Sequence, residues 1–436
     1  MSNADNACEH RRTAMVWALR VILGAVFIVS GLAKSVDLWG TVYKIEEYLG
    51  VWGMTEPRTL TVVVATGLCG GEFLLGALLL LGCYRRAVVW LMGALMAFML
   101  PLSLWLWIAD PVPDCGCFGD FLVISNRATF WKNVAIVGGI ALLWRSNSKT
   151  AGVITPYCQW MAAAALTVYI LIVAMAGYNI QPEIDFRRFP QGTQLLTDDS
   201  AEEDDEEVTY TFIYSKGGEQ REFSADNLPD STWTFVDRKL MSGTEDTRDG
   251  FVILEDGEDI THDVINAEGE QMLVVVPEIA RVNPSHTYAI NTLDRYMTAR
   301  GGTLTALLAP DRRGIDYWDD ISMADYPVYT AEPTMLKELV RGTIGLVYLR
   351  DGRVVWKRTL SSTDMSLFEN PDNAKALKES APATDLLLRY LSLTLALVLA
   401  AIIAVDRTGW FIHRGWQRRR RRGQKSPVKS DKIAQD

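Results

Sequence analysis

Histidine is scarce in this sequence. Four occur in 436 residues, at positions 10, 262, 286 and 413, and none lies inside the long apolar stretches of the first half. A haem held by two intramembrane histidines is therefore excluded. Cysteine is nearly as sparse. The six are Cys8, Cys69, Cys83, Cys115, Cys117 and Cys158, too few for a disulfide framework in a chain this long. None follows Cys158, so the polar segment later in the chain has no thiol of its own. The net charge of −10 is unevenly placed. An acidic run, Asp198–Glu207, sits mid-chain and reads as a solvated tether. A basic run, Arg418–Arg422, sits near the end. Such a block is either a nucleic-acid or lipid patch or a topology determinant. The second is the commoner case, and no nucleic-acid partner is expected.

Long apolar runs are what the chain has in abundance. About 20 mostly apolar residues cross a bilayer as a helix, and six segments qualify or come close: Thr13–Ala33, Leu60–Gly82, Val88–Ile108, Ala128–Trp144, Cys158–Tyr178 and Leu386–Val405. The fourth is the shortest, with Trp131 and Trp144 as interfacial anchors. With six spans, Arg11 and Arg12, Arg85 and Arg86, Arg145 and Lys149, and the C-terminal arginines all fall on one side. That side is then cytoplasmic. A cleaved signal peptide is the alternative for the first segment, but its apolar run is too long and no small-x-small site follows it. The expectation is a multi-pass protein of the bacterial cytoplasmic membrane, its termini inside and its polar segment outside, with the lipid bilayer as its first partner.

That polar segment alternates strand and helix. Val208–Tyr214 and Thr232–Lys239 read as strands, and Gln271–Val276 and Thr303–Leu308 as buried strands. Helices are expected over Pro284–Arg300, Tyr317–Met323 and Pro333–Arg341, with a strand near Tyr326–Tyr329. Gly345–Leu349 and Val354–Lys357 form a hairpin across Asp351-Gly352, a strong turn signal. The order resembles the thioredoxin fold over Val208 to Leu360. The resemblance implies a Cys-x-x-Cys after the first buried strand and a cis-proline before the hairpin. Here those places hold Pro277-Glu278-Ile279-Ala280-Arg281 and Thr343-Ile344. Such a domain does no thiol exchange by itself, and docking a partner is its expected role.

The sharpest chemical signal is Asp114-Cys115-Gly116-Cys117-Phe118-Gly119-Asp120, after the third span. Two cysteines one residue apart pair only if the backbone bends, and Gly116 permits the bend. A ring that small is easier to reduce than a structural bridge. An inert loop disulfide and half of a metal site are the bland readings, although no histidine or further cysteine is near in sequence. Asp114 and Asp120 disfavour a thiolate while Lys132 favours it; equally, Lys132 reads as a snorkelling anchor.

Phe27 through Lys34, and Glu72-Phe73-Leu74-Leu75-Gly76 with Leu79-Leu80-Leu81-Gly82, resemble the DoxX-like membrane proteins. Cys115-Gly116-Cys117-Phe118-Gly119 resembles the signature of their MauE branch, the methylamine utilisation membrane protein, and the likeness covers about residues 13–145. That resemblance implies a four-helix membrane core and a role in disulfide formation in an exported protein, beside a separate thioredoxin-like protein. The family in turn is similar to vitamin K epoxide reductases, which pass electrons from thiols to quinone. Quinone is thus the implied acceptor. No amine-oxidising site is present, so methylamine metabolism does not follow.

Glu72 falls mid-span, where an ionisable group is costly and usually functional or paired. Arg20 lies about 9 Å into the first span at 1.5 Å per residue. Either the two pair, or Arg20 snorkels and Glu72 is neutral; a third reading makes Glu72 a proton relay. Trp90, Trp105 and Trp107, with Pro101, either line a quinone slot or pack at the interface.

The expected architecture is a membrane all-α helical bundle with a DoxX/MauE-like four-helix core and six spans, plus an α/β thioredoxin-like domain. Its parts are the core (13–145), a fifth span (158–178), an acidic linker (179–207), the soluble domain (208–373), a sixth span (386–405) and a basic tail (406–436). Two functions stay open. One is a thiol–disulfide oxidoreductase using Cys115 and Cys117, serving an exported cysteine-containing protein. The other is a non-catalytic assembly protein whose soluble domain binds an exported partner.

Overall fold

The computed structural model describes residues 3–423 apart from 55–56, 113, 147–151, 183, 197–208, 217–218, 225–233, 243–250, 256–257, 280–281, 311 and 383–385. It describes the backbone alone at 3–12, 209–224, 234–242, 254–255, 258, 312–314 and 413–423. The acidic run and Lys149 therefore lie outside the described residues. Two compact units emerge, one from residues 1–186 with 383–436 and one from residues 187–382.

The first unit is helical: α1 (Asn3–Val36), α2 (Leu38–Val51), α3 (Arg58–Leu81), α4 (Arg85–Ala109), α5 (Asn126–Ser146) and α6 (Gln159–Asn179), with α12 (Leu386–Gly423) closing the chain. Among the described residues five helical stretches are long and apolar enough to cross a membrane: Thr13–Val36, Arg58–Leu81, Arg85–Ala109, Gln159–Asn179 and Leu386–Ile412. The segment expected as a fourth span forms α5, as long as α6 at 21 residues. Arg127, Lys132 and Arg145 make it less apolar. It still belongs to the bundle, because Ile136, Ile140 and Leu143 share one buried cluster with Val16, Leu23 and Phe27 of α1 and Val88 and Met92 of α4.

Helix α2 is absent from the sequence reading, which treats the stretch after the first span as a loop. Asp37 caps it by accepting a 3.0 Å hydrogen bond from the Gly40 amide, an N-terminal cap. Leu38, Trp39 and Val42 then pack on Ala65 and Cys69 of α3 and Ala174 of α6. At 14 residues it is too short and too charged to register as a span.

Helices α1 and α3 approach very closely. A Cβ at Gly31 would stand 2.4 Å from the Phe73 amide nitrogen and 2.6 Å from the Cys69 carbonyl oxygen. Only a residue without a side chain lets the two backbones meet there. This contact brings the last turns of α1 beside the middle of α3, where the candidate site lies.

The second unit is mixed α/β. Its strands are β1 (Thr209–Lys216), β2 (Glu219–Ser224), β3 (Thr234–Ser242), β4 (Leu254–Glu255), β5 (Glu258–Asp259), β6 (Glu270–Val276), β7 (Thr303–Leu308), β8 (Val328–Thr330), β9 (Gly345–Arg350) and β10 (Arg353–Thr359). Its helices are α7 (Thr261–Val264), α8 (Ser285–Ala299), α9 (Arg312–Ser322), α10 (Pro333–Leu339) and α11 (Ala376–Glu379). The main sheet runs β10-β9-β6-β7-β8. β6, β7 and β8 are parallel, and β9 and β10 antiparallel. The continuous apolar run in β6 follows from burial on both faces. Met272, Val274 and Val276 enter the core with α8, while Leu273 and Val275 enter the one with α10. Asp351 (φ 53°) and Gly352 (φ 69°) make the turn with two left-handed residues that a two-residue hairpin favours. β1 to β3 form a separate sheet in the order β2-β1-β3. The chain expected as linker over 179–207 is in part structural: Phe189 and Leu195 are buried in this unit's core, and Gln194 bridges Arg353 of β10.

Candidate functional site

The cysteine loop joins α4 to α5. Asn126, at the head of α5, ties the loop's base: its side-chain amide donates to Asp110 Oδ1 and to the Val112 carbonyl, both at 2.8 Å. Asp114 Oδ2 accepts the Gly116 amide at 2.7 Å. Gly116 itself has φ +63°, the left-handed region that the bend needs. Within this turn the Cys115 and Cys117 sulfurs lie 2.9 Å apart as free thiols.

Helix α2 clamps the loop. Lys44 Nζ pairs with Asp114 at 2.9 Å and with Glu47 at 2.9 Å. Its aliphatic stem lies where a Cβ on Gly116 would go, 2.9 Å from Lys44 Cγ. Tyr48 donates its hydroxyl to the Cys115 carbonyl at 2.7 Å. The carboxylate expected to oppose a thiolate is thus partly neutralised by a lysine that sequence reasoning did not identify.

Beneath the loop, α1 and α3 contribute a buried polar cluster. Lys34 Nζ donates to both Glu72 oxygens at 2.8 Å, and both side chains are almost fully buried. Ser30 Oγ lies 2.6 Å from Glu72 Oε2 and 2.8 Å from the Cys117 carbonyl oxygen. The expected partner of Glu72, Arg20, is elsewhere. Fourteen residues separate Arg20 from Lys34 on one helix, about 21 Å along its axis. Arg20 Nε instead donates to the Leu79 carbonyl at 3.2 Å, in the last turn of α3, where that carbonyl also accepts the Gly82 amide at 3.0 Å. Its guanidinium also sits 4.8 Å over the Trp17 ring. The missed signal was helical spacing. Ser30 and Lys34 are four residues apart and share a face, and a mid-span carboxylate calls for a cation.

A small, partly open cavity lies beside Cys117. Lys34, Glu72 and Ser30 form one wall, Lys132 and Asn133 of α5 another, and Phe27, Met96, Met99 and Phe118 the apolar remainder. Lys132 Nζ lies 4.6 Å over the Phe118 ring. Trp90, Trp105 and Trp107 do not line this space. Trp90 is 59% exposed and meets Trp144 with ring centroids 4.4 Å apart, Trp105 packs on Trp52, and Trp107 on Phe130. Cys115 is absent from the lining, so the two thiols differ in what they face.

They differ in acidity as well. The Cys117 thiol is held below the usual thiol range, chiefly by its contact with Cys115, and then by the charges of Lys132 and Lys34, against burial and Glu72. Cys115 is pushed upward by the same contact and by burial. The pair titrates as a unit, one proton leaving early and one late. Among the described residues no group of three histidine, cysteine or carboxylate side chains is arranged to hold a metal ion.

Residues 12–146 match the family model of the methylamine utilisation protein MauE. With five helices fit to cross a membrane, the chain is a multi-pass membrane protein with a MauE-like region. That region contains every residue of the site described above. Residues 208–241, which hold β1, β2 and all but the last residue of β3, match a domain of unknown function (DUF8463). No curated protein and no solved structure matches the chain.

Proposed function

We propose that this protein is a membrane thiol–disulfide oxidoreductase working through Cys115 and Cys117 at the outer face of the cytoplasmic membrane. The observation that carries the reading is the clamped loop, with two thiols 2.9 Å apart and one of them on a cavity with two lysines. In the exchange, a thiolate of an exported dithiol protein attacks Cys115 of the Cys115–Cys117 disulfide. The S–S bond breaks, Cys117 leaves as a thiolate, and a mixed disulfide forms at Cys115. The partner's second thiolate then displaces Cys115, which takes a proton. The partner is oxidised by two electrons and the loop reduced by two. A lipid-soluble quinone is the acceptor class we assign to the cavity: part of its lining is apolar, and Lys132 and Asn133 supply N–H donors. When bound it would take the two electrons and the Cys115 proton released as the loop disulfide re-forms, with the second proton drawn from water.

The second unit supports the reading as a docking module. The strand order β7-β6-β9-β10 and the hairpin support a thioredoxin-like domain, and its lack of cysteine favours binding over exchange. The basic flanks of the spans support placing that unit and the cysteine loop outside, with α5 as a sixth span. The test is capture. A Cys117→Ser chain should accumulate a mixed disulfide through Cys115, formed in the reverse step as the Cys115 thiolate attacks the disulfide of the oxidised partner and releases a partner thiolate, and cleaved by reductant. If it captures nothing while Cys115 remains reactive to an alkylator, the assembly reading stands in its place.

A further inference from the structure

The buried Lys34–Glu72 pair lies at the same cavity wall as Cys117, and a purely structural ion pair has no need of that position. The cavity's charges tally in a way that bears on the thiol. Lys34 and Glu72 cancel, leaving Lys132 uncompensated while Cys117 is protonated. With Cys117 as a thiolate the enclosed charges sum to zero, the state a poorly solvated site prefers. The other charged or titratable groups of the loop and of the elements packed on it are Lys44, Glu47 and Tyr48 of α2, Cys69 of α3, whose thiol interacts with Lys34, and Asp114, Cys115 and Asp120 of the loop itself. These seven do not line the cavity, and Lys44 is already engaged by two carboxylates. Helix α4 offers only methionine and leucine here. Ser30 reinforces the link. It has one proton and two acceptors, Glu72 and the Cys117 carbonyl, so the position of Glu72 is coupled to the backbone of Cys117.

We propose that Lys34 is a positioning residue for the redox pair, a buried ammonium fixed by Glu72 that holds negative charge on Cys117 without touching the partner protein. The proposal rests on the reading of Cys115 and Cys117 as a working pair. Its chemical role is in the first exchange step, where Cys117 must leave as a thiolate; a leaving thiol of lower pKa departs faster. Glu72 tempers the effect, keeping the ammonium in place and cancelling part of its field.

The test uses the full chain, reduced, in detergent or vesicles. The pH midpoint of the first alkylation by iodoacetamide is read with the modified cysteine identified by mass spectrometry. Lys34→Met should raise the Cys117 midpoint by about 1 to 3 pH units, the range a neighbouring opposite charge produces. Lys34→Arg should restore it towards the native value. Glu72→Gln, which keeps the ammonium and removes its counter-charge, should lower it. Lys34→Met/Glu72→Gln, which leaves no unpaired charge, covers the case in which a single variant fails to fold and should give a midpoint modestly above the native value, since Lys34 acts on Cys117 more strongly than Glu72 does. Opposite shifts from the two singles, or the raised double, support the proposal. A midpoint unmoved by Lys34→Met in folded protein, raised equally by both singles, or, where Lys34→Met does not fold, unmoved in the double, overturns it. Mixed-disulfide capture by Cys117→Ser is scored separately. Its failure removes the oxidoreductase reading and leaves the midpoint shifts as they are.

Discussion

Replacing Gly31 with alanine should damage the site from a distance, through the approach of α1 to α3. The added Cβ would stand 2.4 Å from the Phe73 nitrogen, 2.6 Å from the Cys69 oxygen and 2.9 Å from the Phe73 Cα. All three are backbone atoms, so no side-chain rotation relieves the clash. Restoring ordinary contact at about 3.5 Å requires the helices to part by about 1 Å. Ser30 and Glu72 neighbour the contact in sequence, and Lys34 follows one turn later. A 1 Å separation takes the Lys34–Glu72 contacts of 2.8 Å past the range of a charge-assisted hydrogen bond. Overpacking alone costs about 1–3 kcal/mol, and a loosened buried ion pair adds to it. Gly67→Ala, in the facing helix α3 with nothing within 4 Å of the added Cβ, is the control. It should be neutral or stabilising by up to about 1 kcal/mol, from helix propensity. The assay is thermal unfolding of the detergent-solubilised chain, with the alkylation midpoint of Cys117 measured in parallel. If Gly31→Ala unfolds at the same temperature as Gly67→Ala, the close approach does not organise the site.

Other outcomes follow from single contacts. In reduced protein, Cys117 should alkylate at neutral pH and Cys115 only under strongly alkaline conditions; equal rates for both at all pH values would contradict the asymmetry. For stability the signs are opposite. The depressed Cys117 contributes stability that is present above the unfolded thiol value and lost as pH falls through the folded one. The raised Cys115 disfavours the fold as pH rises above its unfolded value. Tyr48→Phe removes the 2.7 Å bond to the Cys115 carbonyl. It should cost about 0.5–1.5 kcal/mol and speed proteolysis within the loop, as read by limited digestion. Leu346→Ala, fully buried in β9 next to central β6, should cost about 2–5 kcal/mol, seen as earlier loss of protease protection in the second unit while the helical unit is unchanged.

Much of this was readable before any coordinates. Apolar runs gave the five helices fit to cross a membrane, because length and hydropathy decide a span without tertiary context. The sequence Asp-Gly gave the hairpin, because few residues tolerate both left-handed positions. Cys-Gly-Cys gave the bend that sets two sulfurs 2.9 Å apart. What escaped the reading depends on packing. Helix α2 is short and mixed in polarity, and its value lies in Lys44 and Tyr48 meeting a loop some 70 residues away in sequence. The partner of Glu72 was sought at Arg20, since both are deep charges in the first two spans. The register of α1 against α3 instead sets Lys34 opposite Glu72, and that register is fixed by Gly31, whose role is visible only in three dimensions. The extent of the second unit was similarly hidden, because Phe189 and Leu195 sit in a polar stretch that looked like a tether.

The most direct test of the central claim is the redox state of Cys115 and Cys117 in intact cells. A membrane-impermeant alkylator is applied before lysis, and the two positions are scored with and without a pulse of external reductant. The account predicts that both cysteines are reached from outside, that they are a mixture of oxidised and reduced at steady state, and that they return to the mixture after the pulse. A pair that stays fully oxidised under every condition, or that the reagent reaches only after the membrane is broken, would contradict it.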